Sequence, residues 1–352
     1  MSAPAAVTSS THKFPWQWKL SDLEQVPKNG LKVFSTFSCG GGSSMGYKLA
    51  GYEVLGNVEI DPKIAAIYKK NNHPKISYCM DIRDFNKLED LPEALFDLDV
   101  LDGSPPCSVF SFMGKRQEGW GKEKVFREGQ KKQRLDDLFP AFIKTVEKLR
   151  PRAYIAENVE GLVKGNARGY VREIVEGLHE IGYTVQIFLL DSAEMGVPQR
   201  RRRVFFVGHK KELEYPAISL KFCEPPILFG QIRTETGIPV TNAFLKDLIS
   251  RRKPSDNKLL DVSKRERGRE NLYSWRFEKD DKVALCNVAG SRGVRFYDGM
   301  YMSDLDVIRT QTFPEDYDFG DQDVAYVCGM SVPPVMMAQI ASQVADQWLL
   351  RR

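Results

Sequence analysis

From Leu31 to Val207 the chain alternates short apolar runs with stretches of helical spacing, and this alternation limits the fold more than any other feature. Leu31–Phe37, Tyr52–Ile60, Lys75–Tyr78, Leu98–Leu101, Ala153–Ala156, Thr184–Leu190 and Val204–Val207 have the length and composition of strands. Helices are predicted between them. One runs from the glycines after Cys39 to Ala50, and one from Pro62 to Lys70 behind an Asp61 N-cap. Two more cover Asp137–Leu149, stopped by Pro151, and Val171–Ile181, ending at Gly182. Repeated β-α-β units of this kind predict an α/β fold, a mostly parallel sheet covered by helices on both faces. Beyond Lys211 the pattern is lost: Pro225-Pro226, Pro239, Pro254 and dense charge predict a smaller region of short strands and loops. An apolar-periodic helix returns at Val335–Leu350, behind Pro333-Pro334, and is expected to pack back on the first domain. The resulting division is an N-terminal extension over 1–29, a main domain over 30–211 and 322–352, and a small domain over 212–321. Trp16 and Trp18 give the extension a means of docking.

Cysteine usage narrows the setting. Cys39, Cys79, Cys107, Cys223, Cys286 and Cys328 are scattered and never form a CxxC pair, which argues against a disulfide framework or a zinc site. No apolar run is long enough to cross a membrane as a helix, and the first residues lack the charged-then-apolar order of a secretory signal. The expectation is a cytoplasmic protein, nucleoid-associated in a bacterium, with no membrane and no bound metal, acting as a monomer.

Two stretches in this frame carry chemistry. In Gly103-Ser104-Pro105-Pro106-Cys107-Ser108 the prolines cannot continue the preceding strand, so they hold Cys107 in a stiff turn. Open α/β sheets place ligands and chemistry at such strand ends, although a lone cysteine there serves equally well as packing. The second stretch, Phe37-Ser38-Cys39-Gly40-Gly41-Gly42-Ser43-Ser44, is a glycine turn between the first strand and the first helix, with serines available as caps. Its backbone suits a nucleotide-like ligand. Glu59 follows about 20 residues on, at the end of the second strand, a spacing that suits ribose hydroxyls. Asp81-Ile82 follows the third strand, within reach of an adenine amino group. The phosphate-cradling P-loop pattern is missing, which argues against phosphoryl transfer. These residues define a site for NAD or S-adenosylmethionine without choosing between them.

The order of motifs chooses. From about Val33 to Ala341 the sequence resembles the DNA cytosine-C5 methyltransferases. Phe37–Gly42, Glu59, Asp81, Pro105-Pro106-Cys107, Leu138-Phe139, Glu157-Asn158-Val159, Gln199–Arg203, Arg309–Pro314 and Gly329–Pro333 follow that family's order. Departures are Cys39 in place of the turn's first glycine, Ser35 in place of an acidic residue before it, Met330 in place of an asparagine, and Ser108 after the nucleophile. The resemblance implies a Rossmann-like S-adenosylmethionine-dependent sheet with a smaller target-recognition domain. It implies cofactor contacts at Phe37, Ser38, Gly40, Gly41, Gly42, Glu59, Ile60, Asp81, Ile82, Pro106, Leu138 and Ser331.

The same resemblance assigns the chemistry. Cytosine C5 is a poor nucleophile until a thiolate adds at C6, which is nucleophilic catalysis. Cys107 would be that thiolate, with Arg201 as its cationic neighbour. Glu157 would serve N3 and the N4 amino group of the base, Arg203 would bind O2, and Asn158 would support the loop carrying Cys107. Read as one strand, residues 199–203 put Gln199, Arg201 and Arg203 on one face and leave Arg200 and Arg202 to the surface. The partner is double-stranded DNA, from which the target base must be flipped out. Met113–Arg134, with eight Lys/Arg against three Glu, would close over it. Arg251–Arg276, with nine Lys/Arg against four Asp/Glu and with Tyr273 and Trp275 interleaved, is the first candidate groove-facing surface. Ser291-Arg292-Gly293-Val294-Arg295 is the second, its glycine allowing close approach to a phosphate or base edge. A restriction-modification setting is expected. Two alternatives stand beside it: a transfer-RNA cytosine-C5 methyltransferase of the same fold, and a silent relative that only binds nucleic acid.

Overall fold

Seven strands form one sheet in the order β3-β2-β1-β4-β5-β8-β6. They are β1 (Lys32–Thr36), β2 (Glu53–Glu59), β3 (Ile76–Cys79), β4 (Val100–Gly103), β5 (Ala153–Val159), β6 (Gln186–Asp191) and β8 (Arg202–His209). All neighbours are parallel except β8, which runs antiparallel to both β5 and β6. The helices between them are α1 (Gly42–Leu49), α2 (Pro62–Asn72), α3 (Ile82–Phe85), α4 (Leu138–Leu149) and α5 (Arg168–Glu180). The computed structural model describes residues 12–106, 137–164, 168–268 and 275–351. Cys107, Ser108, the basic stretch Met113–Arg134 and Tyr273 lie outside the described residues.

The chain forms two compact units. The sheet unit comprises Gln25–Asp191, Arg202–Lys221 and Met337–Arg352. Its elements follow from local chemistry. The Asp61 carboxylate accepts from the Lys63 and Ile64 backbone N–H groups, and Pro62 opens α2 with a φ already suited to a helix. The apolar faces of α4 and α5 meet the sheet through Phe139, Phe142, Ile174 and Leu178, which pack with Phe34, Leu101, Tyr154 and Phe206 in one core. The C-terminal segment closes this unit: Tyr52 donates its hydroxyl to the Ala341 carbonyl, and Trp348 donates to the Pro216 carbonyl. By length and composition Val324–Leu349 could cross a membrane, but 78% of its apolar window is buried within the protein.

The second unit comprises the segment through Glu24, Ser192–Arg201 and Phe222–Met336. The expected division differs here: Ser192–Arg201, 322–336 and the N-terminal segment fold with this unit. Side chains explain why. Trp18 is buried and donates its indole N–H to the Thr312 carbonyl, and Gln199 donates to Thr310 and Gln311. The unit is also more helical than expected. It contains β7 (Gln199–Arg200), α6 (Phe229–Ile232), α7 (Ala243–Ser250), α8 (Leu259–Arg267), β9 (Phe277–Glu278), β10 (Ala284–Leu285), β11 (Val294–Arg295), α9 (Asp304–Gln311) and α10 (Val324–Met330). Their N-caps (Asn242, Ser303, Asp323) sit among prolines and charges that hide the helical period. The last helix, α11 (Pro334–Val344), carries the chain from this unit into the sheet unit.

Candidate active site

The turn that carries Cys107 leaves β4 at Gly103, and its Pro105 is buried. Beside it in parallel register runs β5, where Gly103 faces Ala156. This strand is longer than the sequence suggests: Glu157 and Asn158 belong to it, opposite Phe205 and Val204 of β8. The Asn158 side chain donates from Nδ2 to the Pro105 carbonyl at 3.0 Å, with Asn158 itself buried. That bond joins β5 directly to the proline turn. Glu157 projects on the same face as Val159, so it is a diagonal neighbour of Arg203, which sits opposite Val159. The Arg203 Nε lies 2.9 Å from a Glu157 carboxylate oxygen, and both side chains are largely shielded from solvent. Arg202 points outward to Glu160.

The glycine turn is strained. Phe37 (φ 53°), Cys39 (φ 46°) and Gly41 (φ 83°) all occupy the left-handed region, which costs a non-glycine residue on the order of 1 kcal/mol. Cys39 therefore holds a conformation that the glycine it replaces would adopt freely. Its N–H donates to one Glu59 oxygen at 2.9 Å, while Asp61 N–H donates to the other at 3.0 Å. Burial raises the Glu59 carboxyl above its ordinary range against the pull of these N–H groups. At Gly41 a Cβ would lie 2.3 Å from Asn72 Nδ2, so the turn seats directly on α2. The expected serine cap is corrected: Gly41 is the N-cap, and Ser43 and Ser44 lie inside α1. Ser44 is turned inward, hydrogen-bonded to Ser35 and Tyr68.

The remaining cofactor candidates fall in several settings. Ser38 accepts from Asn57, Gly40, Gly41 and Gly42 are buried, and Ile60 is exposed beside buried Glu59. Glu59 faces Cys79 across β2 and β3, which places Asp81 two residues beyond the adjacent strand end. Asp81 caps α3 and is clamped by Arg83; burial works to raise its carboxyl, but the Arg83 bonds and charge hold it below the usual range. Ile82 and Leu138 are core residues of the sheet unit, and Pro106 is half-buried. Ser331 lies in the second unit, where its hydroxyl donates to the Val327 carbonyl. Glycines that admit close backbone approach, an exposed apolar side chain and two strand-end carboxyls fit an adenosyl group.

Sequence reasoning missed Asp102. It reads as the end of an apolar run, but it lies inside β4, 2% exposed, and accepts from Ser35 Oγ at 3.0 Å and Tyr47 Oη at 3.4 Å. Burial pushes its carboxyl up to about 7 against those bonds, helped by the charge of Glu157. Its only advance signal was an acidic residue in an otherwise apolar strand.

In the second unit, two readings change. Residues 199–203 are not one strand: β7 ends at Arg200 and pairs with β10, and β8 begins at Arg202. The alternation of burial survives, with Gln199 and Arg201 buried and Arg200 and Arg202 exposed. The Arg201 guanidinium donates to the Gly329 and Asn287 carbonyls at 3.1 and 3.3 Å. The stretch Ser291–Arg295 does not present both of its arginines to a groove. Arg295 is fully buried between Asp298 and Asp306, and Arg292 binds Asp304. Its Gly293 admits not a phosphate but Glu278, whose Oε1 would lie 2.6 Å from a Cβ there. In the other basic stretch, Arg251, Arg265 and Arg267 pair with Asp247, Asp256 and Glu266, and Arg276 with Glu278. Tyr297, which no motif singles out, is 71% exposed and has the Arg233 guanidinium 5.0 Å from its ring.

A doubly wound sheet with a glycine turn and carboxyls at adjacent strand ends defines a nucleotide-cofactor-binding α/β protein. Residues 31–346 match the C-5 cytosine-specific DNA methylases, and the chain belongs to that family. It is 26% identical over 334 residues to the Type II methyltransferase M1.HphI of Haemophilus parahaemolyticus, covering 89% of this chain and 86% of that one. It is 33% identical over 187 residues to the Type II methyltransferase M.DdeI of Desulfomicrobium norvegicum, covering 52% and 41%. The stronger local matches thus span about half the length of those relatives or less. Among solved structures, a protein described as an E. coli prophage DNA modification methyltransferase superposes with a TM-score of 0.66 at 18% identity, covering 92% of this chain and all of that one. A mutant DNMT2 of Spodoptera frugiperda superposes at 0.60 and 17%, covering 88% and 98%. At such identities these likenesses speak for the fold.

Proposed function

We propose that the protein transfers a methyl group from S-adenosylmethionine to C5 of a cytosine flipped out of duplex DNA. The observation that carries this reading is the Asn158–Pro105 hydrogen bond beside the Glu157–Arg203 pair. It ties the residue that precedes Pro106-Cys107 to the strand that bears the base-facing carboxyl. When bound, the cofactor supplies an electrophilic methyl group on a sulfonium. The Cys107 thiolate adds to C6 of the base, and the ring electrons move toward C5. Glu157 faces N3 and N4, and Arg203, already fixed by Glu157, is assigned to O2. C5 would take the methyl group with S-adenosylhomocysteine as the leaving group, a water molecule would accept the C5 proton, and the thiolate would leave as the C5–C6 double bond re-forms. Arg201, held by backbone carbonyls, is assigned to the cationic surroundings that favour the thiolate. The basic charge of Met113–Arg134 suits phosphate contacts.

The relatives' designation as Type II methyltransferases supports a restriction-modification setting; a monomer acting in the cytoplasm is part of the same proposal. The test is methyl transfer from labelled S-adenosylmethionine to mixed-sequence duplex DNA and, in parallel, to transfer RNA. Label in DNA is expected. Label only in RNA would move the substrate to the second class, and label in neither would leave a binding protein. A duplex carrying 5-fluorocytosine should trap a covalent adduct that Cys107→Ala cannot form; an adduct with that variant would remove Cys107 as the nucleophile.

A further inference from the structure

Asp102 takes no part in the reaction above, yet its surroundings are built. Its partner in register on β1 is Ser35, whose hydroxyl donates to Oδ2. Tyr47 of α1 donates to Oδ1. Ser44 and Tyr68 extend the network behind Ser35, and Thr36 Oγ1 donates to the Asp102 carbonyl. Two hydroxyls hold the carboxyl, and no Lys, Arg or His pairs with it among the described residues. A serine or an asparagine could satisfy hydroxyls without the expense of burying a carboxylate that no cation answers. A site with this unbalanced charge at the base of a glycine turn is suited to a cationic ligand. The sequence departure fits: Ser35 stands where the resemblance implies an acid, and the acid stands one strand over, hydrogen-bonded to it.

We infer that Asp102 is the counter-charge for the cationic methyl donor, the acid of the glycine-turn site carried on β4 instead of β1. The inference rests on S-adenosylmethionine being the donor. The donor carries a sulfonium that S-adenosylhomocysteine lacks, so the two compounds separate charge from shape. Titratable neighbours of Asp102 are Tyr47 on α1, Tyr68 on α2 and Glu157 on β5. Burial keeps both tyrosines protonated well above neutral pH, which leaves Glu157 as the one neighbour to control for.

The experiment is equilibrium binding of each compound to the full chain without DNA. Asp102→Asn should weaken S-adenosylmethionine about tenfold or more and S-adenosylhomocysteine by no more than about threefold, as expected for loss of one charge contact. Moving the acid back across the register, Ser35→Asp with Asp102→Ser, should restore S-adenosylmethionine to within about threefold. A wild-type measurement avoids any folding defect: near pH 6.5, calorimetry in buffers of different ionisation heat should show proton release on S-adenosylmethionine binding, retained in Glu157→Gln. Equal loss of both compounds in Asp102→Asn, no loss, no recovery in the relocated variant, or no proton release each overturns the inference. Failure of the wild-type protein to bind either compound would instead overturn the methyl-donor reading itself.

Discussion

The two units are held together by different physics. In the sheet unit a contiguous apolar core, from Phe34 and Leu101 to Phe142, Tyr154 and Phe206, carries the packing. The second unit has apolar clusters of its own, one around Leu248, Leu259, Val262 and Phe277 and one around Phe313, Tyr317 and Phe319. Buried charged groups are set among them: Arg276 with Glu278, Arg295 with Asp298 and Asp306, and Arg201 on the Gly329 carbonyl. An apolar core tolerates exchanges of similar volume. A buried ion network does not, because removing one partner strands the other. Sequence can therefore drift in the sheet unit's packing while the second unit depends on particular pairs.

Substitutions at equal burial should expose this contrast. Arg295→Met is expected to destabilise the second unit by about 3–5 kcal/mol, read as an early, separate transition in chemical unfolding; a single unshifted transition would contradict the contrast. The sheet unit also buries charged groups, Asp102 among them. Because the Asp102 carboxyl is raised to about 7 in the folded protein from an ordinary value near 4, the folded state binds the proton that the unfolded state has lost. Its contribution to stability falls by roughly 2–4 kcal/mol as pH rises from about 4 to about 7. Asp102→Asn should remove that slope, so its melting temperature gains on the wild type across this window; parallel pH profiles would argue against it. Gly41→Ala should cost about 1–3 kcal/mol through its left-handed backbone and its collision with Asn72, measured by denaturation with cofactor affinity falling alongside. Ile155→Val, fully buried in the sheet, should cost only about 0.5–1.5 kcal/mol; a loss as large as that of Arg295→Met would erase the distinction between the units.

The same distinction explains what could be read from the sequence. The strands and helices of the sheet unit were legible because apolar period and punctuation, such as Asp61-Pro62 before α2 and Gly182 after α5, specify them locally. The reversed direction of β8 was not, since a period of two is blind to strand polarity. Glu157, Asn158 and Arg203 were legible through ordered motifs, and the structure brings Glu157 and Arg203 together. Asp102 was not, because one acid in an apolar run looks like the end of a strand. Arg295 was misread for the opposite reason: an arginine in a charged stretch looks solvated until its two aspartates, three and eleven residues on, are placed around it.

The Trp18–Thr312 hydrogen bond joins residues 294 positions apart. During synthesis at about 5–20 residues per second, the indole would leave the ribosome roughly 15–60 seconds before its acceptor exists. The second unit therefore cannot close until most of the chain has been made, whereas β1 to β5 can collapse as they emerge. Its contacts are among the most non-local in the molecule, and such topology slows folding. A segment that waits this long with an exposed tryptophan is a natural client for whatever shields apolar surface at the tunnel exit.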